Sequence, residues 1–296
     1  MNLDNVKLIF ADLDDTLTEL YKPATENVQL YLNKLLEEGK IIVIITGQGK
    51  ENIYDRVINK IKNNLRKNIL ICGCGGSYIY GFDDNGNIND SPYYSVYEEK
   101  LSDEQKILFR KVTKQLVDEF NLITYNKMSR DDFKRISKGN STTIMLDDRV
   151  SQITFEVVND LRLREEIIKR GKDLIENYKL PIQVVKAGTF AIDFSVYGVS
   201  KTYAVKYIMN NLLKKFGIEN IKNNEIQVWG DKYSLVNGGT DMNMLYGLNK
   251  QVLAIDFRNE PEEELDVTYN IKKWNGKKQL CEGLEEYLKS CLGNNN

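Results

Sequence analysis

The sequence predicts an α/β protein whose doubly wound parallel sheet is interrupted by an inserted α+β unit. Short, continuously apolar segments recur along the chain, and segments with helical spacing of apolar residues lie between them. Strands that are buried on both faces have this apolar character, and a helix between two of them is typical of a β-α-β unit. The alternation stops near residue 81 and returns after residue 198, which predicts the insertion.

The first part of the predicted core, residues 1–83, contains the most regular alternation. Its predicted elements are a strand at 6–11 (VKLIFA), a helix at 24–38, a strand at 41–46 (IIVIIT), a helix near 50–63 and a strand at 68–73 (NILICG). In the first of these helices, Val28, Leu32 and Leu35 recur at spacings of four and three residues. Gly39 follows as a stop signal, so this segment has both the period and the end of a helix.

The inserted unit, residues 84–195, begins in the turn-rich segment GFDDNGNINDSP. Its predicted elements are a helix near 102–120, a mixed β region at 142–158, a helix near 161–178 and paired strands over 182–196. The last part of the core then spans residues 196–296. Its predicted elements are a helix at 200–215, a strand at 225–231 (EIQVWGD), a helix at 240–247, a strand at 251–257 (QVLAIDF) and a helix near 276–292.

The composition excludes several classes of function. There are 41 basic and 43 acidic residues, so no excess of positive charge indicates a nucleic-acid or membrane surface. The longest apolar runs are far shorter than a membrane span, and no signal-peptide pattern is present, so we expect a cytoplasmic location with free cysteines. The chain has no histidine. Acid–base chemistry must then use carboxylates, lysine or tyrosine, and any metal must be held by oxygen.

Polar side chains follow three of the predicted strands at the point where each strand ends. Asp12 and Asp14 follow LIFA, Thr46 follows IIVII, and Asp231 follows IQVWG. Sites in open parallel sheets form at the carboxyl ends of the strands, so we expect these side chains to converge. Grouped carboxylates at the end of a buried strand are unfavourable unless a cation neutralises them, which indicates a site for a cation.

Four segments resemble the motifs of the haloacid dehalogenase superfamily. Asp12-Leu13-Asp14-Asp15-Thr16 resembles motif I (D-x-D-x-T), Thr46-Gly47 resembles motif II, Lys201 within GVSKTYAV resembles motif III, and Gly230-Asp231 with Asp241 resembles motif IV. The motifs occur in the family's order across the whole chain. The insert between motifs II and III fits the type-two cap. The resemblance therefore implies a Rossmann-like core with an inserted α+β cap.

The same resemblance implies a set of roles for these residues. Asp12 would be the nucleophile and Asp14 the general acid and base. Thr46, Gly47 and Lys201 would bind the phosphoryl group. Mg²⁺ would be held by four carboxylates: Asp12, Asp14, Asp231 and Asp241. The chemistry suits these residue types, because a carboxylate that attacks a dianionic phosphate ester needs a cation to reduce the repulsion.

Each assignment also has a simpler structural interpretation. Asp12 and Asp14 could cap the following helix, Thr46 and Gly47 could form an ordinary strand-to-helix turn, and Lys201 could be a solvated helix lysine. We expect Asp15 to be a loop carboxylate that faces solvent or caps backbone N–H groups.

Two branches of the superfamily are similar to parts of this chain. GVSK and DVTYNIKKWNG resemble Cof-type sugar-phosphate phosphatases, whereas GDKYSLVNGGTD and AIDFSVYGVSK resemble phosphomannomutases and sucrose-phosphate phosphatases. Asp193 falls where such caps present an acid to sugar hydroxyls, although it could also be an exposed strand residue. Gln48 replaces the arginine usual in Cof-type members, and Gln152 lies where a mutase has a phosphate-binding cap arginine. A mutase must bind a bisphosphate intermediate at both ends, so the absence of this cap arginine favours hydrolysis over phosphoryl transfer within one sugar.

The sequence therefore predicts a cytoplasmic, Mg²⁺-dependent phosphatase acting on a small phosphorylated metabolite, with a sugar phosphate as the expected substrate class. A phosphosugar mutase is the first alternative, and a non-catalytic sensor of phosphorylated metabolites is the second. We expect no nucleic-acid or membrane partner. The sequence leaves open the identity of the sugar, the oligomeric state and the pathway.

Overall fold

The structure, a computed structural model, describes residues 2–187, 189–236 and 239–293, without the side chain of Arg130. Within these residues the strands are β1 (Leu8–Ala11), β2 (Ile41–Ile45), β3 (Ile69–Gly73), β4 (Tyr78–Tyr80), β5 (Tyr94–Ser95), β6 (Ile123–Asn126), β7 (Thr143–Asp148), β8 (Gln152–Glu156), β9 (Ile182–Ala187), β10 (Ala191–Val196), β11 (Ile226–Gly230), β12 (Leu253–Asp256) and β13 (Ile271–Lys273). The α-helices are α1 (Glu26–Glu37), α2 (Lys50–Arg56), α3 (Val96–Lys100), α4 (Asp103–Glu119), α5 (Arg130–Ser137), α6 (Leu161–Asn177), α7 (Lys201–Tyr207), α8 (Met242–Leu245) and α9 (Leu280–Leu292).

The chain divides into two compact units. The first comprises Met1–Tyr94 with Ser200–Asn296, and the second comprises Ser95–Val199. The domain limits expected from the sequence stay a prediction, because compactness alone does not show that each part folds independently.

The first unit is built on a mostly parallel sheet. Its strand order is β13-β12-β11-β1-β2-β3-β4-β5. The strands from β13 to β3 pair in parallel, and β4 pairs with β3 in the antiparallel direction. Chain order reverses at β1, which lies between β2 and β11, as in a doubly wound sheet. The α/β class predicted from the sequence is confirmed.

Burial explains the apolar character of the central strands. Every residue of β1, β2, β3 and β11 is buried, so no alternation of polar and apolar residues occurs in them. Helix α1 buries Val28, Leu32 and Leu35 on one face, and the side chain of its N-cap residue, Thr25, accepts a hydrogen bond from the N–H of Val28. Helix α1 packs against α9, so the periodic apolar face predicted from the sequence forms part of the core.

The second unit contains a five-stranded sheet with the order β6-β7-β8-β10-β9. β6 pairs with β7 in parallel, and the other neighbours are antiparallel. Helix α6 packs against β9 and β10 and contacts α4. Successive residues of a strand point to opposite faces, so buried Ile192 and Phe194 share one face while Asp193 lies on the other, opposite Thr154 of β8.

Three helices, α2, α7 and α8, are about half as long as the sequence predicts. The segment expected as a helix near 50–63 leaves helical geometry at Val57, whose φ of −128° lies outside the helical range, and a 3₁₀ turn follows at Ile58–Lys60. Helix α7 ends at Tyr207 and continues as a π-helical turn at Ile208–Leu212 and a 3₁₀ turn at Leu213–Phe216. Among the described residues, no helix combines the length and the apolar character needed to span a membrane.

Candidate active site

The sheet brings three of the predicted site residues to one edge. Asp12 follows β1, Thr46 lies just beyond β2, and Asp231 follows β11. Ala11, the last residue of β1, pairs with Ile44 on one side and with Trp229 on the other, so the three strand ends are level. All three polar side chains are buried there. A cluster of polar groups at this position requires partners for each of them.

Lys201 is the buried cation of this cluster. It is the first residue of α7, and the Nζ atom donates hydrogen bonds to Oδ1 of Asp12 at 2.5 Å and to Oδ1 of Asp241 at 2.7 Å. Only 8% of Lys201 is exposed, so it is not the solvated helix lysine of the simpler interpretation. Its ammonium group links two carboxylates that are separated by 229 positions in the sequence.

Asp241 ties the loop after β11 to Lys201. While Oδ1 binds the lysine, Oδ2 accepts hydrogen bonds from the backbone N–H groups of Asp231 and Lys232, both at 2.9 Å. Gly230 makes this approach possible, because a Cβ atom there would lie 2.6 Å from Oδ2 of Asp241. Both oxygens of Asp241 thus accept hydrogen bonds. Asn237 and Gly238, which belong to the segment GDKYSLVNGGTD, lie outside the described residues.

Asp231 has its own cationic partner, Arg258. The guanidinium binds Oδ2 of Asp231 through Nη2 and, at 3.1 Å, through Nε. Oδ1 of Asp231 accepts a longer hydrogen bond from Oγ1 of Thr16, at 3.5 Å. Nη2 of Arg258 also lies 3.5 Å from Oδ2 of Asp15. Asp15 therefore forms an ion pair at the edge of the cluster, which differs from the solvent-facing or capping role expected for it.

Asp14 lies apart from the other carboxylates. Its Oδ1 accepts a hydrogen bond from Nη1 of Arg56 at 2.6 Å, and its Oδ2 accepts one from Nε2 of Gln48 at 3.1 Å. Arg56 is buried and also donates to the carbonyl groups of Lys22 and Glu19. The last turn of α2 thereby fixes the loop that follows Asp14.

The remaining predicted residues occupy two different places. Oγ1 of Thr46 accepts a hydrogen bond from the N–H of Gln48 at 3.2 Å, and there is open space where a Cβ of Gly47 would be. Asp193 belongs to the second unit, where its Oδ1 accepts a hydrogen bond from Oγ1 of Thr154 at 2.7 Å. Burial raises the pKa of Asp193, and the Thr154 hydrogen bond opposes that rise. Asp193 is thus a half-buried, hydrogen-bonded residue of the five-stranded sheet in the second unit.

Asp12 and Asp231 lie in an environment that disfavours their ionisation. Burial raises the pKa of Asp12 to about 8, with Asp241 adding to the rise and Lys201 opposing it. Burial and the neighbouring Asp241 also raise the pKa of Asp231 to about 6, against the effect of Arg258. Burial would lower the pKa of Lys201, but Asp12 and Asp241 outweigh it, so the pKa is raised and the lysine stays charged. An added cation would relieve the remaining repulsion.

The donor set fits a hard divalent cation. Asp12, Asp231 and Asp241 each offer a carboxylate oxygen, and these atoms lie within 4.8 Å of one another. Oxygen ligands of this kind suit Mg²⁺. Of the three, Asp12 and Asp231 are the better candidates for direct ligands, because both oxygens of Asp241 accept hydrogen bonds of 2.7 to 2.9 Å, whereas Oδ1 of Asp231 accepts only the 3.5 Å bond from Thr16 among the described residues. Asp14 does not belong to this cluster of described residues, and its assignment as a metal ligand stays a prediction.

Sequence analysis missed Arg56 and Arg258. One signal for Arg258 was available, because it follows the strand LAID and so lies at the same carboxyl edge as Asp12 and Asp231. Arg56 had no such signal, since it ends a helix at a position where surface arginines are common. Gln48 was noted only as a departure from the family pattern, and the structure shows it bonded to Asp14.

Solved structures show the same fold. A haloacid dehalogenase-like hydrolase from Bacteroides thetaiotaomicron is 17% identical, with a TM-score of 0.62 over 96% of this chain and 99% of that one. A phosphatase of the same superfamily from that organism is 15% identical, with a TM-score of 0.55 over 96% and 94% of the two chains. IMP-bound IMP-nucleotidase from Plasmodium falciparum is 16% identical, with a TM-score of 0.53 over 97% and 68%. No curated protein matches the sequence.

The family comparison covers most of the chain. The model of the family described as haloacid dehalogenase-like hydrolase matches residues 9–245. That range contains β1 from its second residue onward, the carboxylates that follow it, Lys201 and the loop after β11. The inserted unit lies inside it as well. The chain therefore belongs to the haloacid dehalogenase-like hydrolases.

Proposed function

We propose that this hydrolase is a Mg²⁺-dependent phosphatase that acts on a small phosphate monoester, with a sugar phosphate as the substrate class. The observation that carries the proposal is the buried contact of Asp12 with Lys201, beside Asp241 and Asp231. A carboxylate nucleophile next to a fixed ammonium group suits attack on an anionic phosphorus centre. The phosphatase and the nucleotidase that share the fold also act, by their names, on phosphate esters.

In the proposed reaction, Asp12 attacks the phosphorus atom and forms an aspartyl phosphate, while the bond to the leaving-group oxygen breaks. Asp14, which accepts hydrogen bonds from Arg56 and Gln48 in this structure, would take up a proton, turn from these partners and give the proton to that oxygen. In the second step Asp14 takes a proton from a water molecule, the water attacks phosphorus, and the carboxylate of Asp12 is released with inorganic phosphate. Mg²⁺, when bound by Asp12 and Asp231, supplies positive charge that reduces the repulsion between the nucleophile and the phosphoryl group.

Three other residues bind the phosphoryl group in this proposal. Lys201 supplies a positive charge that Asp12 and Asp241 already hold in position, so little side-chain entropy is lost when the substrate binds. Thr46 lies at the same sheet edge. Gly47 leaves space beside its backbone, which lets phosphate oxygens approach the loop closely.

The first test is the release of phosphate from p-nitrophenyl phosphate with Mg²⁺ and with a chelator. Activity that requires Mg²⁺ supports the phosphatase, whereas no turnover at any Mg²⁺ concentration supports the non-catalytic sensor. Incubation with a hexose 1-phosphate and a trace of the hexose bisphosphate then distinguishes a phosphatase from a phosphosugar mutase. Formation of the hexose 6-phosphate without phosphate release would identify a mutase and overturn the proposal. A Mg²⁺-dependent screen of phosphorylated metabolites would name the substrate.

We expect Asp231→Ala to weaken activation by Mg²⁺ more than substrate binding. The substitution removes one of few anionic oxygen ligands and should raise the Mg²⁺ concentration for half-maximal activity by about tenfold or more. The KM measured at saturating Mg²⁺ should change much less. Asp15→Asn is the matched control, because Asp15 is a neighbouring carboxylate outside the cluster. Equal Mg²⁺ midpoints for wild type and Asp231→Ala would exclude Asp231 as a ligand.

We expect Asp193→Ala to reduce kcat/KM for the best sugar phosphate by about 10- to 100-fold, the size of one lost charge-assisted hydrogen bond to a substrate hydroxyl. Turnover of p-nitrophenyl phosphate, which lacks sugar hydroxyls, should change much less. Asp148→Ala is the control, because Asp148 is an exposed carboxylate of the same sheet. Equal losses for the two substrates would show that Asp193 has a structural role.

A further inference from the structure

Two cationic side chains, Lys201 and Arg258, bind different carboxylates of the candidate active site. Lys201 binds Asp12 and Asp241, and among the described residues its hydrogen bonds do not include Asp231. Asp231 is fully buried, and its only ion-pair partner in the described part of the chain is Arg258. Removal of Arg258 would therefore leave a buried carboxylate beside two others with no ion-pair partner among the described residues, where Lys232 acts on it only at longer range.

Arg258 holds one side of Asp231 and leaves the other side accessible to the cluster. Nε donates to the carbonyl oxygen of Asp231 at 3.0 Å and to Oδ2, and Nη2 donates to Oδ2 as well. Oδ1 keeps only the 3.5 Å hydrogen bond from Thr16. A cation bound at Oδ1 would thus not need to displace the guanidinium group from Oδ2.

The backbone of Arg258 is fixed independently of this contact. Its N–H donates to Oδ1 of the buried Asp256 at 2.9 Å, and Oδ2 of Asp256 accepts the N–H of Glu260 at 2.7 Å. Glu260 in turn accepts the N–H of Tyr233 in the loop that follows Asp231. Arg258 is therefore presented to Asp231 by a hydrogen-bonded turn, unlike a flexible surface arginine.

We propose that Arg258 is a resident counter-ion for the metal site. It neutralises Asp231 when the site holds no metal, so that three buried carboxylates are tolerated in the folded protein. It stays in place when a metal binds, and its positive charge then lowers the affinity for the divalent cation. The consequence is a site that is stable while empty and that exchanges its metal readily. This proposal rests on the metal dependence in the proposed function.

Arg258 could instead act mainly by orienting Asp231 as a metal ligand. Orientation and charge supply predict opposite effects of removing Arg258 on metal binding. If Arg258 mainly orients Asp231, its removal weakens metal binding, because a ligand is no longer held in position. If it mainly supplies charge, its removal strengthens metal binding, because the guanidinium group on Oδ2 of Asp231 and a cation bound to the same carboxylate would repel each other, with solvent at the 37%-exposed Arg258 side chain weakening that repulsion. The contacts favour the second role, since Asp231 Oδ1 is also held by Thr16 and the backbone of Asp231 by Asp241.

The test measures thermal unfolding of wild type, Arg258→Gln, Arg258→Lys and Asp15→Asn, first in chelator and then over a Mg²⁺ titration. Arg258→Gln should have a lower Tm in chelator, a larger rise in Tm with Mg²⁺, and a Mg²⁺ midpoint about tenfold lower than wild type. Arg258→Lys should restore most of the metal-free Tm, because it restores the charge. Asp15→Asn leaves the contact of Arg258 with Asp231 intact but removes a negative charge beside Arg258, so it should shift the Mg²⁺ midpoint much less than Arg258→Gln does, and in the opposite direction.

A smaller Mg²⁺ effect in Arg258→Gln than in wild type would overturn the proposal in favour of orientation. A double variant, Asp231→Asn with Arg258→Gln, tests the metal-free part even if Arg258→Gln alone does not fold. Since both charges are removed together, the double variant should be more stable in chelator than Arg258→Gln, and equal or lower stability would overturn the proposal. A wild-type Tm that does not change with Mg²⁺ would also overturn the counter-ion proposal. If that same protein released phosphate from p-nitrophenyl phosphate without Mg²⁺, the phosphatase assignment would stand and only the metal dependence would be wrong.

Discussion

Asp12→Asn should abolish turnover while the protein stays folded. An amide has nearly the same shape as the carboxylate but cannot attack phosphorus, and loss of a covalent nucleophile costs several orders of magnitude in kcat, so residual activity should fall below about 1%. Phosphate release from p-nitrophenyl phosphate at saturating Mg²⁺ measures the effect. Asp15→Asn makes the same change three residues away, outside the cluster, and should retain most of the activity.

The stability of the Asp12→Asn protein follows from the raised pKa of Asp12. An acid whose pKa rises from 3.8 to about 8 on folding is harder to ionise in the folded state than in the unfolded state. At neutral pH, which lies between these two values, the unfolded chain ionises Asp12 while burial disfavours the ionised form in the folded protein, so Asp12 opposes folding there. This cost disappears at a pH below 3.8, where the acid is protonated in both states. A neutral amide removes the cost at every pH. In chelator at neutral pH we expect a Tm equal to or above that of wild type.

Two results would contradict this expectation. Activity of Asp12→Asn well above 1% of wild type would exclude Asp12 as the nucleophile. A large fall in Tm in chelator would show that the ion pair with Lys201 contributes more to folding than the burial of the carboxylate costs. The two readouts are independent, so a loss of activity with a preserved Tm assigns the effect to the chemical step.

Lys201→Met should reduce both activity and stability. The substitution keeps an unbranched side chain of similar length but removes the charge that binds Asp12 and Asp241, which leaves two buried carboxylates without their cation. Breaking a buried ion pair from one side typically costs about 3–5 kcal/mol of unfolding free energy. A lost electrostatic contact to the phosphoryl group should lower kcat/KM by about 10²- to 10³-fold. Urea denaturation in chelator and steady-state kinetics measure the two effects.

Lys201→Arg is the control for Lys201→Met, since it keeps the charge but changes the geometry. We expect it to recover most of the lost stability and only part of the lost activity, because a planar guanidinium group cannot reproduce both hydrogen bonds of the compact ammonium group. If Lys201→Met were as stable as wild type, the two carboxylates would not depend on this lysine for their charge balance. If it were as active, Lys201 would have no part in binding the phosphoryl group.

The parts of the fold that the sequence predicted well are those where burial dictates the residue types. β1, β2 and β11 are buried along their whole length, so each appears as an apolar run whose end is marked by a polar residue. Parallel pairing then places Asp12, Thr46 and Asp231 at one edge, with no information beyond the strand order. Lys201 and Asp241 were identified from the resemblance to the family motifs. In the structure, Lys201 donates hydrogen bonds to both Asp12 and Asp241.

The parts that the sequence did not predict lack such a local signal. Strand β6 is largely exposed, and strands β4 and β13 have three residues each, too few to show a period. Ion pairs are harder still, because Arg56 and Asp14 are 42 positions apart in a chain with 41 basic residues. Only the folded sheet edge selects these partners, so Arg56 could not be distinguished from a surface arginine, and Arg258 had only its position after the strand LAID as a signal.

The close approach of Gly230 to Asp241 restricts which sequences can keep this site. Any β-carbon at position 230 would meet Oδ2 of Asp241 at 2.6 Å and push it away from the backbone of Asp231 and Lys232. The same carboxylate holds Lys201 through its other oxygen, so the displacement would reach the lysine. A library that randomises the candidate site should therefore keep glycine at position 230, because any other residue there would disrupt the contacts of Asp241 with Lys201 and with the backbone of Asp231.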